Sequence, residues 1–161
     1  MKLKLIVSIF IILLWSSNAG AIEVPGELTA DGEIIPITTI GFYKTNKTEV
    51  KKFGAVVTID LKKIYKIDFE IVDSAKGLLA LDIEYVDGAK LQNAIWSTRN
   101  YIYMITPFGK ITYQGESFKS LSSIKLFNRV KVDPSNGKYF PQKFLYSPIT
   151  GELLKEKKRE K

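Results

Sequence analysis

Residues Leu81–Leu126, LDIEYVDGAKLQNAIWSTRNYIYMITPFGKITYQGESFKSLSSIKL, decide how the whole chain is read. Leu81, Ile83 and Tyr85 alternate with Asp82 and Glu84, the period of two that gives a strand one buried and one wet face. Asp87-Gly88 follows. Asp-Gly between two such runs is a strong hairpin signal, because both central residues tolerate positive φ. The returning strand carries Leu91, Ile95 and Trp96, and Ser97-Thr98-Arg99-Asn100 makes a polar tip. Tyr101–Thr106 is apolar on both faces, as an internal strand would be. Pro107-Phe108-Gly109 then turns the chain into Lys110–Tyr113. Gln114-Gly115 reads as an inserted bulge, and Ser117–Leu121 as a short turn before Ile124, Leu126 and Phe127.

The upstream sequence follows a similar plan. Pro25-Gly26 is a pair expected to turn the chain rather than sit inside a strand. Asp31-Gly32 leads into Ile34–Ile40, a β-prone run that Pro36 confines to a sheet edge or a bulge. Lys44–Lys47 is a polar tip, and Phe53-Gly54 opens the β-branched run Ala55–Ile59. Asp60–Ile64 is long enough for one helical turn. Tyr65, Ile67, Phe69 and Ile71 then alternate with Lys66, Asp68 and Glu70. A helix over 60–71 fails because Asp68 would fall on the stripe set by Leu61 and Ile64.

The two plans align as an internal repeat. Asp31-Gly32 and Asp87-Gly88 are 56 residues apart, and Phe53-Gly54 and Phe108-Gly109 are 55 apart. The ladders Leu61, Ile64, Ile67, Phe69 and Phe118, Leu121, Ile124, Leu126 share spacings of three, three and two. Four matches in one order point to a duplication. The order of strands, Asp-Gly turn, Phe-Gly corner and one-turn helix resembles the SH3-like and Sm-like small β-barrels, and is similar to short barrel repeats of bacterial envelope proteins. The resemblance covers Leu81–Leu126 and, more loosely, Asp31–Phe69. Such units often carry glycine six residues after the turn Asp, where a strand bends; Ile37 and Asn93 stand there in this chain. The expected fold is all-β and mainly antiparallel, with two tandem or fused small SH3/Sm-like barrel units over 22–73 and 78–127. A C-terminal hairpin with an aromatic extended segment is expected over 128–150, and a basic tail over 151–161.

Compartment and chemistry follow from composition. Lys2 and Lys4, an apolar run from Leu5 to Trp15, and Ala19-Gly20-Ala21 form the three-part layout of a secretory signal, with cleavage expected after Ala21. The chain is therefore read as exported, periplasmic or secreted. It has no Cys and no His, which removes thiol nucleophiles, the usual general base and the commonest zinc ligand. Of the formal net charge of +7, Lys2 and Lys4 account for two. The 155–161 tail, with five basic and two acidic residues, accounts for three, leaving +2 on residues 22–154. Export and a near-neutral body disfavour nucleic acid. A peripheral contact of Lys155–Lys161 with an anionic membrane or wall is compatible with that distribution.

No catalytic, metal or cofactor site is expected. Asp82 and Glu84 share a strand face, but solvent-facing acids alternating with Leu81, Ile83 and Tyr85 account for them. Asp60, Asp68 and Asp73 match no calcium loop, and Ser117, Ser120, Ser122 and Ser123 have no His to activate them. The candidate ligand-binding surface is the aromatic and basic cluster Trp96, Arg99, Tyr101 and Tyr103 around the second tip, of the kind that stacks on ligands or grips peptides. The sequence thus points to a non-catalytic binding or scaffold protein of the bacterial envelope, its partner another envelope protein or a peptide. The alternatives are attachment to a wall or membrane surface through the tail, or a glycan-acting enzyme using carboxylates alone.

Overall fold

The computed structural model describes residues 20–43, 45–127, 129–140 and 144–158; the apolar run of the expected leader lies outside them, as do the last three residues of the tail. The protein is all-β. Its main sheet contains β1 (Ile22–Ala30), β2 (Glu33–Phe42), β3 (Lys47–Lys52), β4 (Ala55–Asp60), β5 (Ile64–Asp73), β6 (Leu78–Tyr85), β7 (Lys90–Ser97), β8 (Tyr101–Thr106), β9 (Gly109–Gln114) and β10 (Leu121–Leu126). Short 3-10 turns at Leu61–Lys63 and Gly115–Lys119 lead into β5 and β10. Four strands, a 3-10 turn and a fifth strand therefore occur in the same order twice.

The strand order across the sheet is β4-β3-β7-β6-β5-β10-β1-β2-β8-β9. Exchanging each strand for its counterpart in the other half, β1 for β6 through β5 for β10, reproduces this order in reverse. The two halves are thus fused by a pseudo-two-fold axis between β5 and β10. They are also interleaved: β2 takes β8 as its neighbour, and β3 takes β7. Neither half builds a sheet from its own strands alone.

The ladders form the middle of the core. Leu61, Ile64, Ile67, Phe118, Leu121, Ile124 and Leu126 are all buried, with Phe69 half-buried against them. Each such side chain contributes about 1.5–3 kcal/mol by leaving water. Asp60 caps the first 3-10 turn by accepting the Lys62 N–H at 2.9 Å. The polar partners of the strands face out, as the period of two requires.

Three local expectations are corrected. Pro25-Gly26 lies inside β1 and does not turn the chain. A register shift between Glu23 and Gly26 accommodates the proline, and the missing Cβ of Gly26 admits β10, since a Cβ there would stand 2.4 Å from the Lys125 carbonyl oxygen. Gln114-Gly115 is no bulge but the start of the second 3-10 turn. At the Asp87-Gly88 loop only Gly88 has positive φ, 88°, while Asp87 accepts the Ala89 N–H through its carboxylate. Pro36 falls where β2 has β1 alone as partner, because pairing with β8 begins at Thr39.

A second, three-stranded sheet closes the chain: β11 (Arg129–Val132), β12 (Tyr139–Phe140) and β13 (Lys155–Lys158), in the order β12-β11-β13. The tail is therefore not a free end as far as Lys158. The return is made by Ser147-Pro148-Ile149-Thr150-Gly151, which repeats the turn Asp133-Pro134-Ser135-Asn136-Gly137. Gly137 and Gly151 donate to the carbonyls of Asp133 and Ser147 at 2.9 and 2.8 Å. Asp133 joins the two turns, accepting from Ser135 and Asn136 of its own loop and from the Thr150 hydroxyl at 2.7 Å. Its carboxyl is buried among these close neighbours. Burial pushes its pKa up, but hydrogen bonds from Ser135, Ser147 and Thr150 outweigh that and hold it far below the usual carboxylate range.

Candidate binding surface

The four residues expected around the second tip do not form one surface. Trp96 lies on the inner face of β7 and is 1% exposed. Its ring contacts Phe42 and Phe118 at 5.7 and 5.5 Å between centroids, and its Nε1–H donates to Thr48 Oγ1 at 3.0 Å. This is a satisfied core tryptophan. Tyr101 and Tyr103 lie on the opposite face, since Ile102 and Met104, which alternate with them, enter the core. Arg99 is exposed at the tip, its carbonyl accepting from Gln114 Nε2 at 2.9 Å.

The structure supplies a different companion. Tyr43, at the end of β2, is 54% exposed and meets Tyr101 edge-on, with centroids 5.0 Å apart and planes at 74°. Tyr101 in turn lies 6.4 Å from Tyr103. Tyr103 faces Gly41 across the β2–β8 ladder, and its ring occupies the space a Cβ on Gly41 would need, 2.7 Å away. Lys110 Nζ sits 4.4 Å from the centre of the Tyr103 ring, a cation–π geometry. Burial raises the Tyr103 hydroxyl pKa, and Tyr101 adds to it, so the phenol is a neutral donor and acceptor at ordinary pH. Tyr103 is itself 5% exposed, so the accessible aromatic surface of this tyrosine row is exposed Tyr43 with half-buried Tyr101, backed by Tyr103. Phe42-Tyr43 carried the missed signal: alternation sends Phe42 inward and Tyr43 outward.

A second opening lies where β3 and β7 pair only at Lys51↔Ile95. A cavity of about 400 Å³ forms there, lined by Thr48, Val50, Lys51, Ile95, Trp96 and Ser97. Its pseudo-symmetric counterpart, β2 against β8, pairs at four positions.

The carboxylates have structural partners. Asp82 is exposed and accepts the Asn93 N–H at 2.7 Å, while Glu84 lies 3.9 Å from Lys90. Asp68 pairs with Lys66 at 2.8 Å, and Asp73 accepts the Lys76 N–H at 3.0 Å. Ser117 closes the second 3-10 turn by bonding both backbone groups of Gln114. Among known protein-family models and curated proteins, none matches this sequence.

Proposed function

We propose that the chain is an exported, non-catalytic binding or scaffold protein of the bacterial cell envelope, and that its partner, another envelope protein or a peptide, packs against Tyr43 and Tyr101, which Tyr103 backs from beneath. The observation that carries this reading is Tyr43 itself: a large aromatic left more than half in water beside an ordered ring. Such rings offer wide amphipathic contact at low entropic cost. Arg99, exposed at the adjoining tip, adds a charged fork at the rim. Export is supported by the signal-like first 21 residues.

Attachment to a wall or membrane surface through the tail has weaker support, because Lys155–Lys158 is engaged as β13 with β11. A carboxylate-only enzyme has weaker support still, since Asp82 and Glu84 are occupied by a backbone amide and a lysine. The test is recovery of partners from an envelope extract by the wild-type chain and by Tyr43→Ala/Tyr101→Ala. Loss of specific partners by the variant is expected; equal recovery would refute the tyrosine row as the binding face.

A further inference from the structure

The β3–β4 and β1–β2 hairpins are closed by the same two-residue turn, with φ of 49° and 80° at Asp31-Gly32 and 50° and 81° at Phe53-Gly54. Asp-Gly is an ordinary filling for that turn, whereas a bulky residue at positive φ is strained. Phe53 gains no core contact in exchange, being 95% exposed. A strained aromatic held in water is unexplained by folding and points to use.

The other half repeats the exposure, though not the positive φ. Phe108, at the β8–β9 corner, is 87% exposed. These two hairpins are the outermost pairs of the ten-stranded sheet. In the antiparallel order the β3–β4 and β8–β9 turns leave the sheet at opposite strand ends, so each phenylalanine meets a surface as a tip of its own. Charge is uniform at both tips: Lys51 and Lys52 are the charged residues of 50–59, and Lys110 is the one in 104–113. Lys52 Nζ lies 4.3 Å from the centre of the Phe53 ring. Val56 and Pro107 add exposed apolar surface beside them.

We infer that Phe53 and Phe108 are membrane-contact tips, each entering the interface of a bilayer rich in acidic phospholipid, with Lys51 and Lys52 at the headgroups beside Phe53 and Lys110 beside Phe108. Single projecting rings flanked by cations suit a soft anionic surface better than a shaped protein pocket. The Phe53 tip is separate from the tyrosine row, while the Phe108 tip adjoins it through Lys110, which lies over the Tyr103 ring.

The test uses the chain from Ile22, which contains every strand described, with vesicles of phosphatidylcholine alone or with phosphatidylglycerol. Cosedimentation with the phosphatidylglycerol vesicles, weakened by salt, is expected. Phe53→Asn or Phe108→Ser alone should lower binding about twofold, and the double variant should abolish it. Phe53→Asn should melt no lower than wild type, since Asn suits positive φ, which separates lost binding from lost fold. Equal binding by the double variant, or no binding by the wild type, overturns the inference. So does a double variant that loses a protein partner while vesicle binding is unchanged.

Discussion

Ile67 of β5 and Ile124 of β10 face each other at the centre of the ten-stranded sheet, each the counterpart of the other in its half of the chain. Their neighbours cross over: Asp68 pairs with Ser123, and Lys66 with Lys125. The pseudo-two-fold axis therefore passes through this pair, and both arms of the sheet grow outward from it. Because β7 completes β3 and β8 completes β2, the arms are built from both halves at once. A body tied together this way holds its two Phe-Gly tips and its tyrosine row on one rigid frame.

The axis pair should be costly to truncate. Ile67 and Ile124 are 1% and 0% exposed, and Ile→Ala at such a site costs about 2–5 kcal/mol. Since the two side chains are direct partners, the double variant should depart from the sum of the singles by about 0.5 kcal/mol or more. Urea unfolding of the four proteins checks both expectations.

Gly26→Ala tests the close approach of β1 and β10. The new methyl would meet the Lys125 carbonyl oxygen at 2.4 Å, and a backbone atom cannot rotate away. A loss of at least about 1–3 kcal/mol is expected, as for overpacking generally. Hydrogen exchange should rise first in the amides joining β1 to β10.

Asn93 occupies the bend position that glycine often fills in small barrels. It has φ of 50° and sits in the β7 bulge opposite β6, its N–H held by Asp82. Asn93→Gly should be within about 0.5 kcal/mol of wild type, and Asn93→Ala should lose about 1–2 kcal/mol. Thermal melting separates the two outcomes.

How far the sequence reached can be traced through these residues. The ladders were legible because buried residues at spacings of three, three and two leave a periodic mark. Partner choice was not, since β2 reads the same whether it pairs with β3 or β8; long-range pairing leaves no local trace. Trp96 and Tyr101 are near in sequence, yet odd spacing across the tip puts them on opposite faces. Tyr43 gives no local sign of its place beside Tyr101, because Tyr101 arrives from the other half. Strand β13 was hidden by composition: lysines suggested a frayed end, while the repeated Pro-x-x-Gly turn at 148–151 held the sign of a returning strand.

Asp133 sets the acid limit of the C-terminal sheet. Its partners Ser135, Asn136, Ser147 and Thr150 do not titrate, so the carboxyl is itself the switch. In the unfolded chain it titrates near the ordinary value of about 3.9; in the fold it titrates well below that. The native state then binds fewer protons than the unfolded one, so stability falls as pH drops. The contribution is complete above about pH 4 to 5 and is lost progressively below it as the folded carboxyl takes up its proton. Amide exchange in β11 and β13 should therefore rise in acid before exchange in β5 and β10 does. Asp133→Asn should raise β11 and β13 exchange at neutral pH, and its difference from wild type should shrink as the pH is lowered. A difference that stays constant from pH 7 to pH 2 would show that the carboxylate charge has no part in joining the two turns.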